Sequence, residues 1–328
     1  MVFEAEQQAI PQVKPLLKKE KRPKLTNGDR LLIIILFLVT VLLSGFAYFQ
    51  PQISGFFQKI KKAPEKITSP LVITGGKEMK KLDPSPVLEE IKNLTNQLLG
   101  TYGVYVYRFE DDQEYGLHQN EIFPAASLMK LPVILTLYQE AEAGRVDLNT
   151  EYKLLEKDKR GGAGILQSRP AGEIYTYRKL AELMGQYSDN TANNVLVKIL
   201  GPQKIQQTID NLGMKKTNFA EYETTPYDIG LFFRKLYEGG VVTNQHKEEI
   251  LKFLTKTGWE DRIPAGIPEG VRVAHKIGTE IGVFSDAGIV FAQKPFVLVI
   301  MTKEARESEA KEVLPKIAKV VWEFEEKN

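Results

Sequence analysis

The sequence predicts an α+β chain: one antiparallel sheet flanked by helices and carrying an all-helical lobe, preceded by one transmembrane helix. Three observations carry that expectation. Residues alternate in strand fashion at both ends of the region 86–328, in Tyr102–Phe109 and in three short runs between Arg272 and Met301. Segments of helical period, bounded by Gly, Pro or capping residues, fill the space between, and such a segregated order marks α+β. Ahead of them, Leu31–Phe49 is a run of nineteen mostly apolar residues without a charge, long enough to span the hydrocarbon core of a bilayer.

Composition narrows the chemistry. The 328 residues include 44 basic and 42 acidic side chains, a net charge of +2, so no nucleic-acid partner is implied. Cysteine is absent, which excludes disulfides, thiolate metal sites and a cysteine nucleophile. The three histidines, His118, His246 and His275, are scattered and never at H-E-x-x-H spacing. A metal hydrolase and a Ser-His-Asp triad are both disfavoured, and no cofactor or metal is expected. A hydrolase built from this chain must take its base from another residue type, and lysine would serve.

In chain order, residues 1–30 are polar and basic, with Lys14, Lys18, Lys19, Lys21, Arg22, Lys24 and Arg30, and read as a disordered tail. The run 31–49 reads as an anchor rather than a cleaved signal, although Gly45-Phe46-Ala47 resembles a cleavage site. Residues 50–85 are rich in Pro, Gly and Lys and read as a linker. From Pro86 onward a folded domain is expected. Val87–Leu99 has helical spacing closed by Gly100, Tyr102–Phe109 alternates like a strand, Asp111-Asp112 marks a turn and Tyr115–His118 returns. A helix containing Ser127 runs to Ala143. The Gly-rich stretch from Lys159 to Gln167 lacks the ending of a phosphate loop and reads as a surface turn. Helices follow at Tyr177–Gln186, Asn190–Leu200, Pro202–Leu212 and Pro226–Glu238. Strands at Arg272–Ile277, Phe284–Phe291 and Phe296–Met301 precede a last helix, Ser308–Glu325, with Ser308 as its N-cap.

Three short patterns carry chemistry. Ser127-Leu-Met-Lys130 sets a hydroxyl and an amine three positions apart, on one helix face. A serine hydroxyl needs a base to become a nucleophile, and a lysine in a desolvated pocket loses its charge and becomes one. Ser188-Asp189-Asn190 opens a helix and reads equally as a cap. Lys276-Ile277-Gly278-Thr279 ends a strand, where glycine permits a close backbone approach.

In this order the three patterns resemble the S-x-x-K, S-D-N and K-T-G elements of the penicillin-recognising serine enzymes, the class A β-lactamases and D,D-peptidases. The resemblance covers Pro86 to the C-terminus and is closest to the class A side. It implies that Ser127 is acylated, that Lys130 takes its proton and that Ser188 passes a proton to the leaving nitrogen beside Lys276. It implies further that Asn190 binds the substrate side-chain amide and that Gly278 and Thr279 flank its carbonyl. The backbone amides of Ser127 and Thr279 would form the oxyanion hole. Two departures accompany it. Ile277 replaces the hydroxyl residue of the third pattern. Ser188 and Lys276 are also closer than in class A enzymes by about one Ω-loop, the loss falling after Gly213. Glu221, with Glu223 as alternative, is the candidate for the deacylating glutamate.

The expected function is opening of a β-lactam amide through an acyl-enzyme on Ser127, the reaction behind β-lactam breakdown and antibiotic resistance. The alternatives are a D-Ala-D-Ala carboxypeptidase acting on peptidoglycan stem peptides, with slow deacylation, or a non-catalytic binding module on the same fold. The expected location is the cytoplasmic membrane, single-pass, with the domain extracytoplasmic.

Overall fold

The computed structural model describes residues 38–40 and 82–328. The chain divides into two units, Met1–Glu78 and Met79–Asn328. In the first, only Leu38, Val39 and Thr40 are described, and they are helical. The tail 1–30, nearly all of the apolar run 31–49 and residues 50–81 of the expected linker 50–85 lie outside the described residues, while Ser85, assigned to that linker, opens a helix. No helix among the described residues is long and apolar enough to cross a membrane.

In the second unit, helix α1 (Ser85–Thr95) precedes strands β1 (Thr101–Arg108), β2 (Glu114–Leu117) and β3 (Phe123–Pro124). The 3-10 turn Ala126–Met129 leads into α2 (Lys130–Glu142), and β4 (Glu151–Lys153) and β5 (Ile174–Thr176) form a small hairpin-like pair. Then follow α3 (Tyr177–Tyr187), α4 (Asn190–Leu200), α5 (Pro202–Leu212), β6 (Glu223–Thr224), α6 (Pro226–Glu238) and α7 (Asn244–Phe253). The chain closes with β7 (Val273–Glu280), β8 (Val283–Val290), β9 (Phe296–Lys303) and α8 (Glu307–Lys327). The fold is α+β, as the order of strand and helix patterns implied.

One five-stranded sheet, ordered β2-β1-β9-β8-β7, has antiparallel neighbours throughout. Its two faces bury different cores because side chains alternate along a strand. Tyr105 and Tyr107 of β1 and Val297, Val299 and Met301 of β9 face the helical lobe. Val104 and Val106, with Leu298 and Ile300, face α1 and α8. The lobe is built round α2, whose residues Lys130–Tyr138 are all buried. A helix apolar on every side has to sit inside a protein. Pro132 near its start removes one amide donor, tolerable in a first turn, and the hydroxyl of Thr136 donates to the Pro132 carbonyl, 2.7 Å away.

Several element assignments change, and the short strands β3, β4, β5 and β6 have no counterpart in the sequence reading. The Ser127 segment is not one helix: a 3-10 turn holds Ser127, and the α-helix begins at Lys130. Helix α7 has no counterpart in the sequence reading, although Thr243 caps it by accepting from the His246 amide. Helix α8 starts at Glu307 with no side-chain cap, so Ser308 lies inside its first turn. There Glu307 and Glu309 offer negative charge to the unpaired amides instead.

Candidate active site

Strand β3 pairs with β6, and the next amide, Ala125, donates to the Tyr222 carbonyl at 2.7 Å. The chain then twists through Ala126 at φ +45°, a left-handed conformation costly for a residue with a Cβ. That twist brings Ser127 into the 3-10 turn, half-buried. Residues three apart eclipse one another in a 3-10 turn, so Lys130 Nζ comes to lie 3.1 Å from Ser127 Oγ.

The second pattern arrives from the far side. Helix α3 ends on Ser188 in the left-handed conformation, φ +51°. Asp189 then caps α4: its Oδ1 accepts from the Ala192 amide at 2.9 Å, and its Oδ2 from the amides of Ile165 and Leu166. The capping reading of this tripeptide is therefore correct for Asp189. The residues on either side turn to Lys130, whose Nζ donates to Asn190 Oδ1 at 2.6 Å and to the Ser188 carbonyl at 2.5 Å, and lies 3.1 Å from Ser188 Oγ. The orientation of the Asn190 amide is set by its Nδ2, which donates to the Gly161 carbonyl at 2.8 Å.

This geometry determines where the Lys130 lone pair points. The Ser188 carbonyl and Asn190 Oδ1 only accept, so each takes one N–H. The remaining direction faces the two serine hydroxyls. When the amine is neutral its lone pair is there, able to accept a proton from either. Burial is what makes that state accessible: it draws the Lys130 pKa down to about 8, opposed by the charge of Asp189.

The Gly-rich stretch is the exposed turn that was expected, and it also lies along the rim of this site. The Asn190 amide donates to the Ala163 carbonyl at 3.0 Å. Gly164, at φ +107°, packs so closely on Asp189 that a Cβ there would lie 2.3 Å from its carboxylate.

On the opposite wall, Lys276 of β7 is completely buried, its Nζ donating to the Ile277 carbonyl at 3.2 Å. Burial holds its pKa well below the ordinary lysine value, and the nearby charge of Lys130 adds to that. Gly278 lets β7 approach the nucleophile turn, since a Cβ there would stand 3.0 Å from the Ala125 carbonyl. Thr279, exposed, is tied to Arg262, a residue that the sequence reading missed. The guanidinium donates to the carbonyls of Gly278 and Ser285 at 3.0 and 2.6 Å, and to Thr279 Oγ1 at 2.6 Å. Beneath it, buried His275 meets Asp286 at 2.8 Å through Nδ1 and faces Glu260 and Thr257 through Nε2. Asp286 also accepts from the Ile263 amide at 3.0 Å, pinning the segment that carries Arg262. No local pattern marks Arg262, because only folding brings it to β7. Among the described residues no carboxylate is ion-paired with Lys130, Lys276 or Arg262, although the charge of Asp189 acts on Lys130 and that of Asp286 on Lys276 and Arg262.

Glu221 is not brought to this cluster. It is exposed, on a tight turn closed by the Asn218–Glu223 bridge, and its amide donates to Asn218 Oδ1 at 3.3 Å. Glu223 is exposed too and spent on pairing with β3. What the loop turns towards Asn190 is Tyr222, at φ +55°.

Comparison with known proteins agrees with this architecture. A family model described as "Beta-lactamase enzyme family" matches residues 86–324. Beta-lactamase 3 of Bacillus cereus is 25% identical over 224 residues, 62% of this chain and 70% of that protein. Beta-lactamase OXY-1 of Klebsiella oxytoca is 24% identical over 276 residues, 77% of this chain and 94% of that one. Among solved structures, a mutant of PBP-A in an acyl-enzyme complex with penicillin-G aligns with a TM-score of 0.69 at 26% identity, covering 74% of this chain and 97% of that one. The beta-lactamase from Sphaerobacter thermophilus gives a TM-score of 0.69 at 25% identity, covering 73% and 97%.

Proposed function

Because the chain belongs to the beta-lactamase enzyme family, we propose that it is a serine hydrolase that opens a β-lactam amide by forming an ester on Ser127. One observation carries the reading: Lys130 Nζ stands 3.1 Å from both Ser127 Oγ and Ser188 Oγ, a single amine between nucleophile and proton donor. Neutral Lys130 takes the Ser127 proton as Oγ attacks the carbonyl carbon. The backbone amides of Ser127 and Thr279 stabilise the oxyanion, an interaction worth about 3 kcal/mol per donor at the transition state. The C–N bond then breaks, Ser188 gives its hydroxyl proton to the departing nitrogen, and Lys130 returns a proton to Ser188. Charge is balanced, and Lys130 ends neutral beside an ester. Lys276 and Arg262 attract the substrate carboxylate, with Thr279 Oγ1 in the role of the hydroxyl missing at Ile277. Asn190 and Gly278 border the bound amide.

Hydrolysis of that ester has no comparable support. Glu221 is the loop carboxylate nearest the family pattern, yet it faces solvent. This favours the second reading, a penicillin-binding D-Ala-D-Ala carboxypeptidase type whose ester on β-lactams persists. We further propose that the run 31–49 anchors the chain in the cytoplasmic membrane with the domain outside, where β-lactams and peptidoglycan are met.

Incubation of the protein with benzylpenicillin, followed by intact mass and by ring opening, tests the assignment. A covalent adduct on Ser127 is expected. Ring opening far beyond one equivalent supports the hydrolase, and a halt near one equivalent supports the peptidase type. No adduct at any concentration overturns both.

A further inference from the structure

On the far side of Asn190 from Lys130 lies a cavity of about 420 Å³, bordered by Arg160, Asn190, Asn193, Asn194, Val197 and Tyr222. No carboxylate lines it. The Arg160 guanidinium is exposed and donates only to the carbonyls of Lys157 and Lys159, and no carboxylate pairs with it among the described residues. The backbone of Arg160 is nevertheless fixed, since its amide donates to Thr191 Oγ1 on α4 at 3.0 Å. The side-chain amide of Asn193 has no hydrogen-bond partner among the described residues, while Asn194 spends one N–H on the Asp158 carbonyl. Asp158 contributes no free negative charge, because its buried carboxylate is already held by Lys198 at 2.6 Å, Tyr152 at 2.6 Å and the Leu155 amide. Tyr222 and Val197 add apolar surface.

A cation and a free amide on an apolar wall, without an acid, match a carboxylate at the end of a short arm. The arm must start at Asn190, one residue away from Lys130 in the hydrogen-bond chain. We infer that this cavity is a subsite for a carboxylate carried on the acyl side chain of the substrate, held by Arg160 and Asn193. The inference rests on Ser127 being the acylated residue, and it narrows the substrate class to acidic acyl side chains, such as that of an acidic peptide.

The test uses the full chain carrying Ser127→Ala, so that binding is read without acylation. Equilibrium affinities are measured for benzylpenicillin and for the same molecule with a free carboxylate on its benzyl carbon. The carboxylated ligand binds about two- to fivefold more tightly, the range for one solvent-facing Arg–carboxylate pair. Adding Arg160→Ala abolishes the preference, Arg160→Lys keeps part of it, and benzylpenicillin binds equally to all three. Equal affinities in the parent, a preference that survives Arg160→Ala, or no binding of either ligand overturns the subsite. Formation of the benzylpenicillin adduct on wild-type Ser127 judges the acylation reading separately.

Discussion

The nucleophile cluster and the loop Asn218–Thr225 lie against each other, joined by the Ala125–Tyr222 hydrogen bond, yet they differ in how tightly their side chains are specified. In the cluster, Lys130 is 5% exposed and Ser188 2%, and every polar atom of Lys130 has an assigned direction. In the loop, Glu221 and Glu223 are exposed and no contact ties Glu221 to the reacting groups. Two left-handed residues, Ala126 and Ser188, hold the cluster in place, and such local strain persists only where the surroundings over-determine it. Under the proposed reading the difference falls between two half-reactions: the groups proposed to form the ester converge on Lys130, whereas Glu221, the candidate for its hydrolysis, faces solvent.

The largest expected effect breaks the cluster. Lys130→Met removes the base and slows benzylpenicillin adduct formation by roughly 10²–10⁴-fold. In the unmodified protein the same rate rises about tenfold per pH unit until about pH 8, where the buried amine becomes neutral, and then levels. A flat profile between pH 6 and 8 would remove Lys130 from that role.

Next in size is the support under β7. Burial opposes the charge of His275, but Asp286 and Glu260 outweigh it and raise its pKa to about 9. A folded pKa above the unfolded one means that the proton stabilises the native state. That contribution, on the order of 3 kcal/mol, is complete below pH 6.5 and lost as pH rises through 9. His275→Asn therefore lowers Tm most in acid, and the gap to wild type narrows above pH 9. A gap independent of pH would contradict a charged His275.

The smallest expected effect concerns the loop. Glu221→Gln changes the decay of the benzylpenicillin adduct by less than about twofold, the scale of an exposed carboxylate without a partner. A tenfold slowing would make Glu221 the base after all and erase the contrast between the two regions.

Much of this organisation was readable beforehand because it is local. Helices α4, α5 and α6 begin and end where Pro, Gly and capping residues stand, and the strands of the sheet announce themselves by alternation. Ser127–Lys130 and Ser188–Asn190 were visible because reacting partners or their supports are neighbours in the chain. Arg262, the His275–Asp286 pair and the rim at Gly161–Gly164 were not. Each acts through a residue far away in sequence, and a lone Arg or a glycine-rich turn carries no trace of its partner.

The sequence by itself determined the α+β order, the chemistry of the three patterns and the exclusion of thiol chemistry, since these depend on residue type and short-range period. Only the tertiary structure decided that the Lys130 lone pair faces two hydroxyls, that Arg262 joins the cation wall and that Tyr222, not Glu221, borders Asn190. Those facts depend on direction, and direction is set by packing: the buried first turns of α2 anchor Lys130, while the turn closed by the Asn218–Glu223 bridge leaves Glu221 to the solvent.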